Sequence, residues 1–198
     1  MSDVDFENLR TKLSDAAKVE NPLEQRLAVI AVITEALAYF GVQPIVVGGL
    51  AVQFYTWGGY ATQDIDLVIS DRDKAKSVLE RLGFEHPFGE RSWYYAGKGI
   101  VIEFPDEKLA GSPEKILKVV TNRGEVFLIG LEDLILDRME GYAATGSASD
   151  RFWAESMMAI HYPEIDWSYL HKEAAWRGFL PAVEAAQKAA KKHQPPQT

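Results

Sequence analysis

The chain has no cysteine, which excludes disulfides and thiolate-held zinc and fits the reducing environment of a cytoplasmic protein. No apolar run approaches the ~20 residues needed to cross a bilayer, so no membrane span is expected. The opening stretch, MSDVDFENLR, is acidic and lacks the basic-then-apolar layout of a signal peptide. Positive charge is scarce as well: 21 Lys and Arg against 29 Asp and Glu leave a formal net charge of −8. That balance argues against a broad phosphate-binding surface, although a nucleic-acid end held in one local cleft stays compatible with it. The histidines His86, His161, His171 and His193 have no metal-ligand spacing, and neither His-Glu-x-x-His nor Gly-x-Ser-x-Gly occurs.

What is present suits a globular chain. Its 198 residues, 47% hydrophobic and 25% charged, are enough for one core with a smaller appendage. Leu23, Leu27, Ile30, Ile33 and Leu37 recur at helical spacing behind Asn21 and Pro22, a cap and a first-turn residue. PIVVGG then reads as a strand, LAVQFYTW as a helix and QDIDLVIS as a second strand. Ser70 with Asp73 makes a capping box for DRDKAKSVLERL, which Gly83 closes. RSWYYAGKGIVIEFP predicts a hairpin turning at AGKG, with Trp93, Tyr94 and Tyr95 packing it. Ser112 and Pro113 start a short helix, and GEVFLIG is a further strand. From Leu131 only helices are expected, among them one capped by Ser147 and Asp150.

The chemistry concentrates in PIVVGGLAVQFYTWGGYATQDIDLVIS. In a strand, residues i and i+2 share a face, so Asp64 and Asp66 stand side by side about 7 Å apart while Ile65 and Leu67 face the core. Paired carboxylates repel and want a cation, and hard oxygen ligands suit Mg²⁺ or Mn²⁺. A solvated strand face is the plainer reading of the same pair. Gly48 and Gly49 follow one strand and open a helix, where bare backbone N–H groups and the helix dipole can approach a phosphate; tight strand–helix packing is the alternative. Together they form a phosphate cradle beside two metal ligands, a layout that would grip a metal–nucleotide.

These residues resemble the nucleotidyltransferase superfamily, the polymerase-β-like fold, in which a Gly-Gly or Gly-Ser turn precedes an Asp-x-Asp pair. More narrowly, the run Ala61-Thr62-Gln63-Asp64-Ile65-Asp66-Leu67 and the later LIGLEDLILDRMEGYAATGSASDRFWAE are similar to small bacterial AbiEii-like (abortive-infection toxin) proteins. The resemblance spans about residues 44–156. It implies an α/β (α+β) fold: a small mixed sheet flanked by helices, with a helical C-terminal part. It also implies a third carboxylate on a later strand. Glu103 is the candidate, either that acid or an exposed edge-strand glutamate, and Asp106 is the reserve. The implied catalytic and metal-binding set is Asp64, Asp66 and Glu103, with Mg²⁺ or Mn²⁺ as cofactor. The implied nucleotide-binding set is Gly48, Gly49, Thr62 and Arg138. Arg138 is otherwise a plain solvated arginine, because its helical neighbours Leu134, Ile135, Gly141 and Tyr142 offer no ion pair. Two positions depart from the pattern: Glu103 where many relatives have Asp, and Tyr60 where relatives often have Arg.

The expected organisation is an N-terminal helix plus α/β core over 1–130, a helical part over 131–192 and a disordered tail over 193–198. The expected activity is metal-dependent transfer of an NMP group from an NTP to an acceptor hydroxyl on tRNA, protein or a small molecule. The alternatives are a catalytically degenerate component of a toxin–antitoxin pair, bound to its cognate toxin or antitoxin, and a sugar-nucleotide glycosyltransferase. The latter would be expected to carry a longer Rossmann-like N-terminal half.

Overall fold

The structure, a computed structural model, describes residues 4–87, 89, 91–96 and 98–193. Two helices open the chain, α1 (Phe6–Ala16) and α2 (Pro22–Ala38). Asn21 caps α2 by accepting from the Leu23 and Glu24 amides, as its sequence predicts. The core follows as β1 (Ile45–Val47), α3 (Gly48–Tyr55), β2 (Asp64–Val68), α4 (Arg72–Leu82), β3 (Phe84–Glu85), β4 (Ser92–Tyr95) and β5 (Ile100–Glu103). A 3₁₀ turn at Pro113–Lys115 leads to β6 (Leu117–Thr121) and β7 (Gly124–Leu128). The helical C-terminal part is α5 (Leu131–Thr145), α6 (Ala148–Ile160), α7 (Trp167–Arg177) and α8 (Leu180–Lys192). His193 caps α8; the rest of the expected tail, 194–198, lies outside the described residues, as does Gly97 in the hairpin turn.

The sheet is mixed α/β as expected, with strand order β3-β4-β5-β2-β1-β7-β6. β1 runs antiparallel to β2 and parallel to β7, and β2 runs parallel to β5. This is not the doubly wound parallel order of a Rossmann-like half. Val46, Ile65, Leu67, Trp93, Ile102 and Leu128 are fully buried on one face, and α2 packs against β7 there while α1 lies on α2 and α4. Period-two alternation then puts Asp64, Asp66, Glu103 and Ser92 on the other face.

Three expectations are corrected. The cap of α4 is Asp71, whose carboxylate accepts from the Lys74 amide, and not Ser70; an ionised carboxylate at the cap also complements the helix dipole. β6 was not expected, because its Leu117 and Val120 are exposed along a sheet edge and LKVVT lacks a clean alternation. Glu103 is no edge-strand glutamate: β5 lies inside the sheet between β2 and β4.

The helical part is strapped to the loop ahead of β6 through Asp133, which is fully buried. Its carboxylate accepts from the Ser112 amide at 2.9 Å and from the Tyr169 hydroxyl at 2.6 Å. Gly111 lacks a Cβ where one would strike this carboxylate. Burial raises the Asp133 pKa, and the two donors pull it down. No helix among the described residues is long and apolar enough to cross a membrane.

Candidate active site

β1 ends at Val47 in extended geometry, and Gly48 then takes φ +61°, turning the chain straight into α3. Only glycine suits this position on two counts: the backbone is left-handed, and an added Cβ would collide with the Asp66 carboxylate. The N-cap residue of α3, Val47, has no capping side chain, which leaves the first-turn amides to acceptors from elsewhere. The Gly49 amide is directed at Asp66. An added Cβ on Gly49 would meet Thr62 and Tyr60 at 3.0 and 3.1 Å. The Gly-Gly pair therefore serves close approach on both sides, to the acid and to the returning loop.

Register brings the acids together. Val47 pairs with Asp66 across β1 and β2, and Asp66 pairs with Glu103 across β2 and β5. Asp64 sits one pleat back along β2, opposite Val101, and is exposed. The Glu103 carboxylate accepts from the Ser92 hydroxyl at 2.6 Å, and the exposed Arg91 guanidinium lies 4.0 Å away. Burial pushes the Asp66 carboxyl above its usual range, and the charges of Glu103 and, less strongly, Asp64 push the same way. The Gly49 amide and the Arg138 guanidinium oppose the shift. Among the described residues, no three His, Cys, Asp or Glu side chains are already gathered around a point where a metal could sit. The donor set nonetheless fits a hard cation of the Mg²⁺ type, which takes one or two protein carboxylates and completes its shell with water and phosphate.

A cavity of about 310 Å³ opens beside Asp66. It is lined by Gly48 and Asp66, by Asp106 and Lys108 of the loop after β5, and by Asp137 and Arg138 of α5. Roomier hollows of about 540 and 580 Å³ occur elsewhere, but neither is lined by Asp64, Asp66 or Glu103. What singles out the smaller one is Asp66, the one of these three acids that lines it.

Arg138 is not a solvated arginine. It bridges Asp150 of α6 at 3.1 Å and Asp137 at 3.0 Å, and its Nε is buried without a partner. Thr62 makes one long hydrogen bond, 3.4 Å, to the Asp64 carbonyl. Tyr60 stacks edge-on against Trp153 at 5.0 Å, so it is a packing residue between the loop and α6. Asp106, although it lines the cavity, is engaged in a local cap, accepting from the amides of Glu107 and Lys108.

Sequence reasoning missed three residues. Arg26 of α2 is close enough for the Asp64 charge to offset part of the fall that burial imposes on its pKa; its sequence signal is a lone basic residue beside the apolar stripe of α2. Lys108 had no signal at all. Ser92 would have emerged from pairing the hairpin strands outward from their turn, which sets it opposite Glu103.

No protein-family model matches the sequence, and no curated protein matches it either. Two solved structures match the chain. One is an antigenic nucleotidyltransferase-like protein from Paracoccidioides brasiliensis, with 18% identity and a TM-score of 0.54, over 81% of this chain and 91% of that one. The other is the antibiotic-resistance factor ANT(2'')-Ia, with 17% identity and a TM-score of 0.41, over 81% and 88%. The first likeness establishes a nucleotidyltransferase-like fold for this chain.

Proposed function

We propose that the protein is a metal-dependent nucleotidyltransferase that moves an NMP group from an NTP to an acceptor hydroxyl. The observation that carries this reading is the placing of Asp64, Asp66 and Glu103 on one open sheet face, beside the Gly48-Gly49 turn, in a nucleotidyltransferase-like fold. Asp64 and Asp66 would hold the ions, with Glu103 as the third acid. A bound Mg²⁺ or Mn²⁺ would neutralise charge on the triphosphate and lower the pKa of the attacking hydroxyl.

The remaining chemistry belongs to the chain. Gly48 and Gly49 open α3 without a capping side chain from Val47, so the helix N-terminus can face the phosphates, with the Gly49 amide shared with Asp66. Lys108 and Arg138, which both line the cavity, supply positive charge for the leaving pyrophosphate. Thr62 holds the loop that returns to Asp64. Glu103 accepts the proton of the acceptor hydroxyl as that oxygen attacks the α-phosphorus and the bond to pyrophosphate breaks.

The narrower assignment, an AbiEii-like protein of a toxin–antitoxin pair working in the cytoplasm, rests on the Ala-Thr-x-Asp-Ile-Asp-Leu run and the α5–α6 segment. A binding-only member of such a pair is the second reading. It is favoured by Tyr60, whose ring packs on Trp153 where relatives often carry a cation. The test is incubation of a cell lysate with the protein, Mg²⁺ or Mn²⁺ and each α-labelled NTP in turn. Transfer to some component by the wild type, lost in Asp64→Asn and Asp66→Asn, is expected. Label that survives both substitutions would refute the assignment of these acids.

A further inference from the structure

We infer that Ser92 is a nucleotide-acceptor site on the protein itself: the chain transfers an NMP group to its own Ser92 hydroxyl. This rests on the nucleotidyltransferase reading above. The geometry supplies the rest. Asp66, Glu103 and Ser92 are register partners on three adjacent strands, β2, β5 and β4, so they form one continuous row on the open face. Ser92 is half-buried, and its neighbour Trp93 fills the core on the opposite side.

An acceptor for this reaction must bring a hydroxyl within hydrogen-bond reach of the base, about 2.6–3.2 Å between heavy atoms. The Ser92 hydroxyl already donates to Glu103 at 2.6 Å. It is held there by a hairpin whose four pairs run from Ser92–Glu103 to Tyr95–Ile100. A diffusing acceptor has to be ordered in that place, whereas this one is ordered by the fold, and such positioning is worth orders of magnitude in rate. A serine serving only to steady Glu103 would show the same hydrogen bond, and the experiment separates the two roles.

The step balances within the chain and its nucleotide. The Ser92 Oγ attacks the α-phosphorus of an NTP and a new Oγ–P bond forms. The bond from that phosphorus to the bridging oxygen of pyrophosphate breaks, and pyrophosphate departs with the electron pair. The Oγ proton passes to the Glu103 carboxylate. The product is a serine phosphodiester with one negative charge, beside the exposed Arg91 guanidinium that now lies 4.0 Å from Glu103.

The full chain, purified, is incubated with Mg²⁺ and each NTP without lysate, digested with trypsin and mapped by tandem mass spectrometry. Cleavage after Arg91 and Lys98 releases SWYYAGK, whose fragments separate Ser92 from Tyr94 and Tyr95. The expected result is one nucleotide monophosphate on Ser92, retained from α-labelled but not from γ-labelled NTP. The label is absent in Ser92→Ala and Asp64→Asn and present in Ser92→Thr, which keeps a hydroxyl. Mapping of the wild type does not depend on any variant folding. Label on another residue, or on lysate components while Ser92 stays bare, overturns the inference and leaves the nucleotidyltransferase reading standing. Retention of γ-label on Ser92 makes it a phosphorylation site and also overturns the inference. No label on the protein or on any lysate component, with any NTP, overturns both.

Discussion

Asp66→Asn should stabilise the metal-free protein. Asp66 and Glu103 are partners on neighbouring strands, which lie roughly 5 Å apart. Two unit charges at that separation repel by about 1 kcal/mol in water and about 3 kcal/mol at an effective dielectric of 20. Asparagine keeps an oxygen for the Gly49 amide but removes the charge. Some of the gain is lost because a neutral acceptor bonds that amide less strongly than a carboxylate, a difference of about 1 kcal/mol. A net gain of about 1–2 kcal/mol should raise Tm by roughly 2–8 °C for a chain of this size.

The pH dependence follows the same charge. The folded-state pKa of Asp66 is raised, mainly by burial and by Glu103, so between its ordinary value and its raised value the folded protein binds more protons than the unfolded one. This carboxyl's contribution to stability therefore falls as pH rises through that window, and Asp66→Asn removes the fall. Differential scanning fluorimetry from pH 4 to 8 in EDTA (roughly the carboxylate-to-neutral range), repeated with Mg²⁺, reads both effects. Wild type should gain about 2.7 kcal/mol at a hundredfold excess of metal over its Kd, and the variant should not. A variant less stable than wild type in EDTA at pH 8 would refute the repulsion argument.

Three further outcomes are expected. Gly48→Ala forces a Cβ into a left-handed position against the Asp66 carboxylate; it should cost about 1–3 kcal/mol and weaken nucleotide binding, read by urea unfolding and calorimetric titration. Arg138→Ala leaves Asp137 and Asp150 without their shared partner and should cost about 1–3 kcal/mol, with triphosphate affinity falling more than monophosphate affinity. Tyr169→Phe removes a donor from the buried Asp133, costing about 1–3 kcal/mol at neutral pH. Because the loss of that donor raises the Asp133 pKa further, the deficit should shrink as pH falls and Asp133 becomes protonated; an equal deficit at pH 4 and pH 8 would contradict this.

Local chemistry was legible in the sequence. Asn21 and Ser147 cap their helices, and Gly83 ends α4 in the left-handed conformation, as read. Each signal lies within a few residues of its effect. Asp71 and Ser70 are neighbours that both suit a cap, and only geometry chose between them. Asp64 and Asp66 declared themselves by spacing, while Glu103 was a candidate only through the third carboxylate that the resemblance implies. What makes Glu103 a neighbour of Asp66 is strand order, a long-range property no window contains. The same holds for Arg26, brought near Asp64 from the preceding helix, and for Arg138, whose partner Asp150 lies on the next helix. β6 escaped notice because edge strands with exposed apolar residues break the alternation that marks a half-buried strand.

The carboxylate of Asp133 joins α5, α7 and the loop at Ser112 at a single buried point. That loop continues from Lys108 and Ala110, which wall the cavity beside Asp66. Heat or denaturant that frees α7 strips a donor from a charge with no access to water, and the loop loses its anchor at the same moment. The cavity wall and the C-terminal helices should accordingly come apart in one cooperative step. A nucleotide seated in the cavity would then protect α7 from hydrogen exchange, far from anything it touches.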